Sequence, residues 1–217
     1  MNQQRLWPIP RAEVLELKPF EGLGLAQIRL PVTPAELAAA RADLLCRPFL
    51  GFDTEVKPTF KAGAALRGPD LVQFSTGTHA YLFQLHQSGC EDLVRELLGA
   101  PAVVKVGFDL RADQKQLMLR LGVHAQPLLD LDFVFRERGY PASIGVKAAI
   151  ALLFNRRLMK SKRVTTSNWA NRVLEPRQLL YAANDAFAAW AVLDALDLPA
   201  HELPVWANGL SRQGPAG

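Results

Sequence analysis

Three short apolar runs, Leu50–Val56, Leu71–Ser75 and Ala80–Leu85, precede any regular alternation of helix and strand, and that order constrains the fold most. The second and third are separated by Thr76-Gly-Thr-His79, with the length and composition of a hairpin turn. Consecutive strands joined by short connections pair antiparallel, so the three runs read as a meander. Beyond them the pattern changes. Cys90–Leu98 reads as a helix, Val103–Gly107 as a buried strand, Ala112–Leu121 as a helix and Pro127–Leu131 as a fifth strand. Helical spacing resumes at Asp132–Arg138 and Ile144–Asn155, and Pro176–Leu196 is the longest helix, with Pro176 in its first turn. Upstream, Thr33-Pro-Ala-Glu36 opens a helix running to Leu45: the hydroxyl caps, the proline suits the first turn, and the glutamate closes a capping box. A meander followed by alternation predicts an α/β fold, a mixed sheet covered by helices. Periodicity does not fix the strand order.

With 217 residues the chain suits one well-buried domain. Residues 1–20, Pro-rich and weakly patterned, read as an N-terminal extension, 21–205 as the domain, and 206–217 as a flexible tail. No 18-residue apolar run of the kind a membrane helix needs stands out, and the start lacks a secretory signal, so no membrane partner is expected. Two cysteines, Cys46 and Cys90, offer neither a disulfide framework nor metal-ligand spacing, which favours a reducing, cytoplasmic setting. The net charge of +4 and pI of about 9.3 suit a polyanionic partner without requiring one.

The chemistry concentrates in acidic residues. Asp53-Thr-Glu55 lies inside the first strand, and strand alternation points residues 53 and 55 to one face with Thr54 on the other. Two carboxylates side by side repel, and each tends to keep its proton unless a cation sits between them. Hard divalent ions, which prefer oxygen ligands, relieve this; the other reading is a strand end where both acids reach solvent. Tyr181-Ala-Ala-Asn-Asp185 sets a phenol and a carboxylate one turn apart on the last helix, a spacing also common on helix surfaces. Asp113 follows a strand-to-helix junction, where a carboxylate is otherwise a cap or a macrodipole partner. Asp109, four residues earlier, could reach the same space.

Taken together, Phe-Asp53-Thr-Glu55, then Val-Gly-Phe-Asp-Leu-Arg-Ala-Asp113-Gln, then Ser167-Asn-Trp-Ala170 and Tyr181-Ala-Ala-Asn-Asp185 resemble the three motifs of the DEDDy 3′–5′ exonucleases, in the ribonuclease D and Werner-type branch. The resemblance covers roughly residues 30–196. It implies a ribonuclease H-like fold, a five-stranded mixed sheet flanked by helices. It further implies that Asp53, Glu55, Asp113 and Asp185 hold two divalent ions, Mg²⁺ or Mn²⁺, with Tyr181 as the fifth catalytic residue. Asp113 is preferred to Asp109 because the family's second-motif aspartate precedes a helical run like Gln114-Lys-Gln-Leu117. In the implied reaction Asp53 bridges both ions, Glu55 and Asp185 complete the site of the attacking water, and Asp113 serves the other ion. Tyr181 orients the water, a safer role than base catalysis for a group whose free pKa is near 10. The implied substrate is a DNA or RNA strand with a free 3′ end, releasing nucleoside 5′-monophosphates. The extra domains of ribonuclease D and the helicase of the Werner protein have no counterpart in these residues.

Candidate strand contacts flank these motifs. Lys160, Lys162 and Arg163 lie in the basic, Ser/Thr-rich loop 156–168, and Lys57, Lys61 and Arg67 follow the first acidic strand. Phe60 and Trp169 could stack on a base, although Trp169 fits core packing with its N–H bonded to backbone. A non-catalytic nucleic-acid-binding domain of the same fold is the alternative, and five intact catalytic-type positions disfavour it.

Overall fold

The computed structural model describes residues 8–59, 67–208 and 211–212. Phe60 and Lys61 lie outside the described residues.

The three apolar runs form the expected meander: β2 (Phe49–Glu55) pairs antiparallel with β3 (Leu71–Ser75), and β3 with β4 (Ala80–Gln84). β5 (Val104–Gly107) then adds parallel to β2, and β6 (Leu128–Asp130) parallel to β5. Three short strands extend this five-stranded ribonuclease H-like sheet: β1 (Ile28–Arg29) beside β4, and β7 (Trp206–Asn208) with β8 (Ser211–Arg212) beyond β6. The full order is β1-β4-β3-β2-β5-β6-β7-β8, so the expected count of five was too low. The added strands have two or three residues each, too few to leave a period in the sequence.

Helices cover both faces. α2 (Pro34–Leu45), α3 (Cys90–Gly99) and α4 (Arg111–Leu121) enclose Leu50, Phe52, Val72 and Phe74 on one side. On the other, α8 (Pro176–Leu196) crosses the middle of the sheet, with α5 (Leu131–Glu137) and α6 (Val146–Phe154) beside it. The Thr33–Glu36 capping box starts α2 as expected: the Glu36 amide donates to the Thr33 hydroxyl at 3.3 Å, and Glu36 Oε2 accepts from the Thr33 amide at 2.9 Å.

How closely α8 approaches the sheet is set by glycine. Gly51 lies on β2, and a Cβ there would stand 2.0 Å from the Ala186 carbonyl oxygen. Only a residue without a side chain lets helix backbone lie on strand backbone in this way. Ala182, Ala183, Ala186 and Ala189 keep the helix's inner face equally shallow. Gly51 is two residues before Asp53 and Ala186 one after Asp185, so this contact sets one acid above the other. By length and hydropathy α8 could cross a bilayer, which the expectation of no such run overlooked; here it is a core helix packed on five strands.

Two segments read as irregular carry structure. Loop 156–168 contains one helical turn, α7 (Lys162–Thr165). The N-terminal segment forms α1 (Arg11–Glu16) and then straps onto residue 157: the Phe20 amide donates to the Arg157 carbonyl at 3.0 Å and the Arg157 amide to the Lys18 carbonyl at 2.8 Å. Likewise, the sheet continues past residue 205, where the tail was expected to begin, through pairing of Trp206 with Leu128.

Candidate active site

Strand alternation on β2 divides the site. Residues 51, 53 and 55 face α8, whereas Leu50 and Phe52 enter the core beneath α2 to α4. α8 brings Asp185 down over the strand, and Asp53, Glu55 and Asp185 each offer a carboxylate oxygen within 4.8 Å of the others. Burial pushes the Asp53 carboxyl well above its ordinary range, and the charges of Asp113 and Asp185 push it further. Glu55 rises to about 10, again through burial first and then its neighbours Asp53 and Asp185. Asp185 is raised by burial, with Lys160 opposing. These groups hold their protons unless positive charge arrives.

Asp113 approaches from the opposite face. It sits in the first turn of α4, and its Oδ1 accepts a 2.5 Å hydrogen bond from the hydroxyl of Thr54, the residue between the two strand acids. Burial raises its pKa, partly offset by that bond. It therefore adjoins the three-acid group around the strand end without belonging to it. Asp109 is exposed, in the left-handed turn before α4 with φ of 52°. The turn is held by Asp130, whose carboxylate accepts from the backbone N–H of Asp109, Leu110 and Asp132 at 3.1–3.2 Å. That clamp aims α4, and hence Asp113, at the site.

Tyr181 shares the inner face of α8 with Asp185. Its hydroxyl oxygen accepts from the Thr165 hydroxyl at 2.9 Å, and burial together with Asp185 pushes its pKa up to about 12. The Ser167-Asn-Trp motif fastens the preceding loop. Trp169 is fully buried, donates its indole N–H to the Thr165 carbonyl at 3.2 Å and packs 5.9 Å from Tyr181, as the core reading expected. Gln178 on α8 donates to the Ser167 hydroxyl at 2.9 Å.

The three basic residues assigned to the strand separate. Lys160 turns inward: its Nζ lies 2.7 Å from Asp185 Oδ2 and 5.5 Å from the centre of the Tyr181 ring. Burial alone would lower the pKa of this ammonium, yet facing Asp185, Asp53 and Tyr181 it is held above its usual value. Lys162 and Arg163 are exposed on α7. Sequence reasoning missed Gln73, directly opposite Asp53 on β3. It is fully buried, and neither its side-chain oxygen nor its nitrogen has a hydrogen-bond partner. The available signal was a glutamine amid the apolar residues of Leu-Val-Gln-Phe-Ser75.

An acid pair on the central strand of a meander-first mixed sheet, faced by a tyrosine and an aspartate one turn apart on the crossing helix, defines a nuclease-type domain. The chain belongs to the 3′–5′ exonuclease family, whose model matches residues 28–198. Exonuclease 3′-5′ domain-containing protein 2 of Drosophila melanogaster is 36% identical over 156 residues, covering 70% of this chain and 26% of that protein. A 3′-5′ exonuclease of Arabidopsis thaliana is 29% identical over 154 residues, 70% of this chain and 54% of that one. The chain thus spans about half or less of these relatives. The Aedes aegypti Nibbler EXO domain superposes with a TM-score of 0.67 at 25% identity, covering 81% of this chain and 89% of that domain.

Proposed function

We propose that this domain is a divalent-metal-dependent 3′–5′ exonuclease that hydrolyses phosphodiester bonds of DNA or RNA from the 3′ end and releases nucleoside 5′-monophosphates. The observation that carries this reading is the convergence of Asp53, Glu55 and Asp185 within 4.8 Å, where burial raises all three pKa values and neighbouring carboxylates raise those of Asp53 and Glu55 further. An all-oxygen donor set of this charge fits Mg²⁺ or Mn²⁺. Those three residues would hold the metal, with Asp113 serving a second ion. When bound, the ions would supply an activated water and offset the charge developing on the phosphate.

The chain's own residues perform the remainder. Gly51 and the alanines of α8 hold Asp185 over Asp53, so the carboxylates are positioned before substrate arrives. Tyr181 keeps its proton far above neutral pH, so its O–H orients a water as a donor and does not serve as a base. Thr165 fixes that hydroxyl. Lys160 supplies one positive charge to the acids and must give up its hold on Asp185, or share it, as metal enters. A groove of about 330 Å³ beside Tyr181 and Asp185, with Met159, Leu180 and Arg177 on its walls, offers space for the terminal nucleoside.

The test is a 5′-labelled single strand incubated with Mg²⁺ or Mn²⁺. Stepwise shortening with mononucleotide release is expected, with no cleavage of a circular strand. Strand binding without shortening in either metal would favour the non-catalytic binding domain.

A further inference from the structure

A second cavity, of about 450 Å³, adjoins that groove through Leu158, Met159 and Ser161, which line both. Arg11 of α1, Lys147 of the first turn of α6, Arg157 and Lys160 line it, and no carboxylate does. Among the described residues Arg11, Lys147 and Arg157 have no ion-pair partner, whereas seven other arginines do. Arg157 is anchored on one side only: Nη1 donates to the Leu15 carbonyl at 2.6 Å, while Nε is shielded from solvent and finds no acceptor. A shielded guanidinium nitrogen without an acceptor carries a desolvation cost that a bound anion removes. Four cations around one cavity repel in the same way that the neighbouring acids do, with the opposite sign.

Lys160 joins the two sites. It lines this cavity and is also the residue ion-paired with Asp185, and Lys147 acts electrostatically on Asp185 as well. The cavity is therefore one side chain away from the carboxylates. We propose that it is a subsite for a phosphate of the substrate strand other than the one being cleaved, and that the N-terminal helix and its strap onto Arg157 exist to build it. This rests on the exonuclease reading. A phosphodiester fits the chemistry: it is anionic, with oxygens to accept from the arginine fork and a single negative charge per contact. The terminal phosphodiester would lie over the acids and a neighbouring phosphate in the basic cavity. Holding the strand at two points would fix which bond meets the carboxylates.

Arg11 and Lys147 are exposed and paired to nothing described, so the double variant R11A/K147A leaves the core intact. Equilibrium binding of a labelled single strand, measured by fluorescence anisotropy with Ca²⁺ in place of Mg²⁺, reads the subsite independently of turnover. Relative to the wild type, R11A/K147A should bind about tenfold more weakly, and its dependence of log affinity on log salt should be shallower by roughly one unit. The control R41A/R138A removes the same charge from arginines already paired with Glu96 and Glu202, and should change affinity less than about twofold. Strands carrying one neutral methylphosphonate linkage at successive positions then locate the contact. One linkage should weaken the wild type and leave R11A/K147A indifferent. Affinity and salt slope of R11A/K147A equal to those of the control, or a scan in which every linkage affects both proteins alike, overturns the subsite. A wild type that shortens the strand while R11A/K147A binds normally rejects the subsite alone. A wild type that never shortens it rejects the exonuclease reading, and the binding scan still judges the cavity.

Discussion

Two buried charged places on the same sheet solve opposite problems. On β5, Lys105 is fully buried, and its ammonium donates to the carbonyls of Ala100, Val103 and Gln126 at 3.3, 2.6 and 2.7 Å. Three donors meet three acceptors, all within the protein. Burial still draws its pKa down to about 7. On β2, Asp53 and Glu55 face Asp185 with one lysine between several acids, and their pKa values rise instead. The first site has its hydrogen bonds completed by the fold and ties the β5 strand to the loops beside it. The second is left short of positive charge. A buried charge that the fold completes is a structural device, whereas one it leaves incomplete is a place for something else to bind.

The sharpest break of that comparison is at Asp53. Asp53→Asn should lower strand cleavage in Mg²⁺ by a factor on the order of 10³ or more, since a ligand common to the metal site is lost. The same variant should melt higher than the wild type without metal, because one repelling carboxylate has gone. A metal-free protein destabilised by Asp53→Asn would show that the cluster is structural like Lys105.

The edge of the incomplete site comes next. Asp113→Asn should reduce single-turnover cleavage roughly a hundredfold, while Asp109→Asn should stay within about threefold. Asparagine tolerates the left-handed backbone at 109, so that variant tests charge without straining the turn. The reverse ranking would move the second-motif acid to Asp109.

At the finished site, Lys105→Met should cost about 1–3 kcal/mol of stability, because three buried carbonyls lose their donor. Its metal affinity should be unchanged. Denaturant unfolding beside Mn²⁺ titration separates the two effects.

A smaller effect follows from pH. A carboxylate whose pKa is raised on folding binds its proton better in the native state, so metal-free stability should fall as pH climbs from about 4 toward the raised values. Lys105 runs the other way. Its native ammonium deprotonates near 7 and its unfolded one near 10.5, so its cost is full below about 7 and is relieved toward 10.5. Asp53→Asn should therefore flatten the downward slope, and Lys105→Met should remove the upward component above pH 7. Matching slopes in the wild type and Asp53→Asn would contradict the raised acid pKa values.

The sequence made the local and periodic features legible. The Thr33–Glu36 box, the shared face of Asp53 and Glu55, and the one-turn spacing of Tyr181 and Asp185 all follow from residue spacing alone. What it hid depends on distant pairing. Lys160 read as one more cation in a basic loop, because nothing local places it 2.7 Å from an acid 25 positions on. Gln73 gains meaning only from its register opposite Asp53, and Lys105 only from carbonyls in two loops. Trp206–Asn208 joins the sheet by edge pairing that leaves too short a pattern to read. Gly51 was visible as a glycine in a strand, but not as the point where α8 touches down.

The central claim, that the acid cluster is completed by a divalent cation, is tested most directly by melting the metal-free wild type and Asp53→Asn with and without Mn²⁺ at neutral pH. A ligand that binds only the folded state at about 100 times its dissociation constant adds about 2.7 kcal/mol, a rise on the order of 5 °C for a chain of this size. The wild type should show that rise, while Asp53→Asn should start higher and gain little; equal Mn²⁺ shifts in the two proteins would place the metal elsewhere and contradict the account.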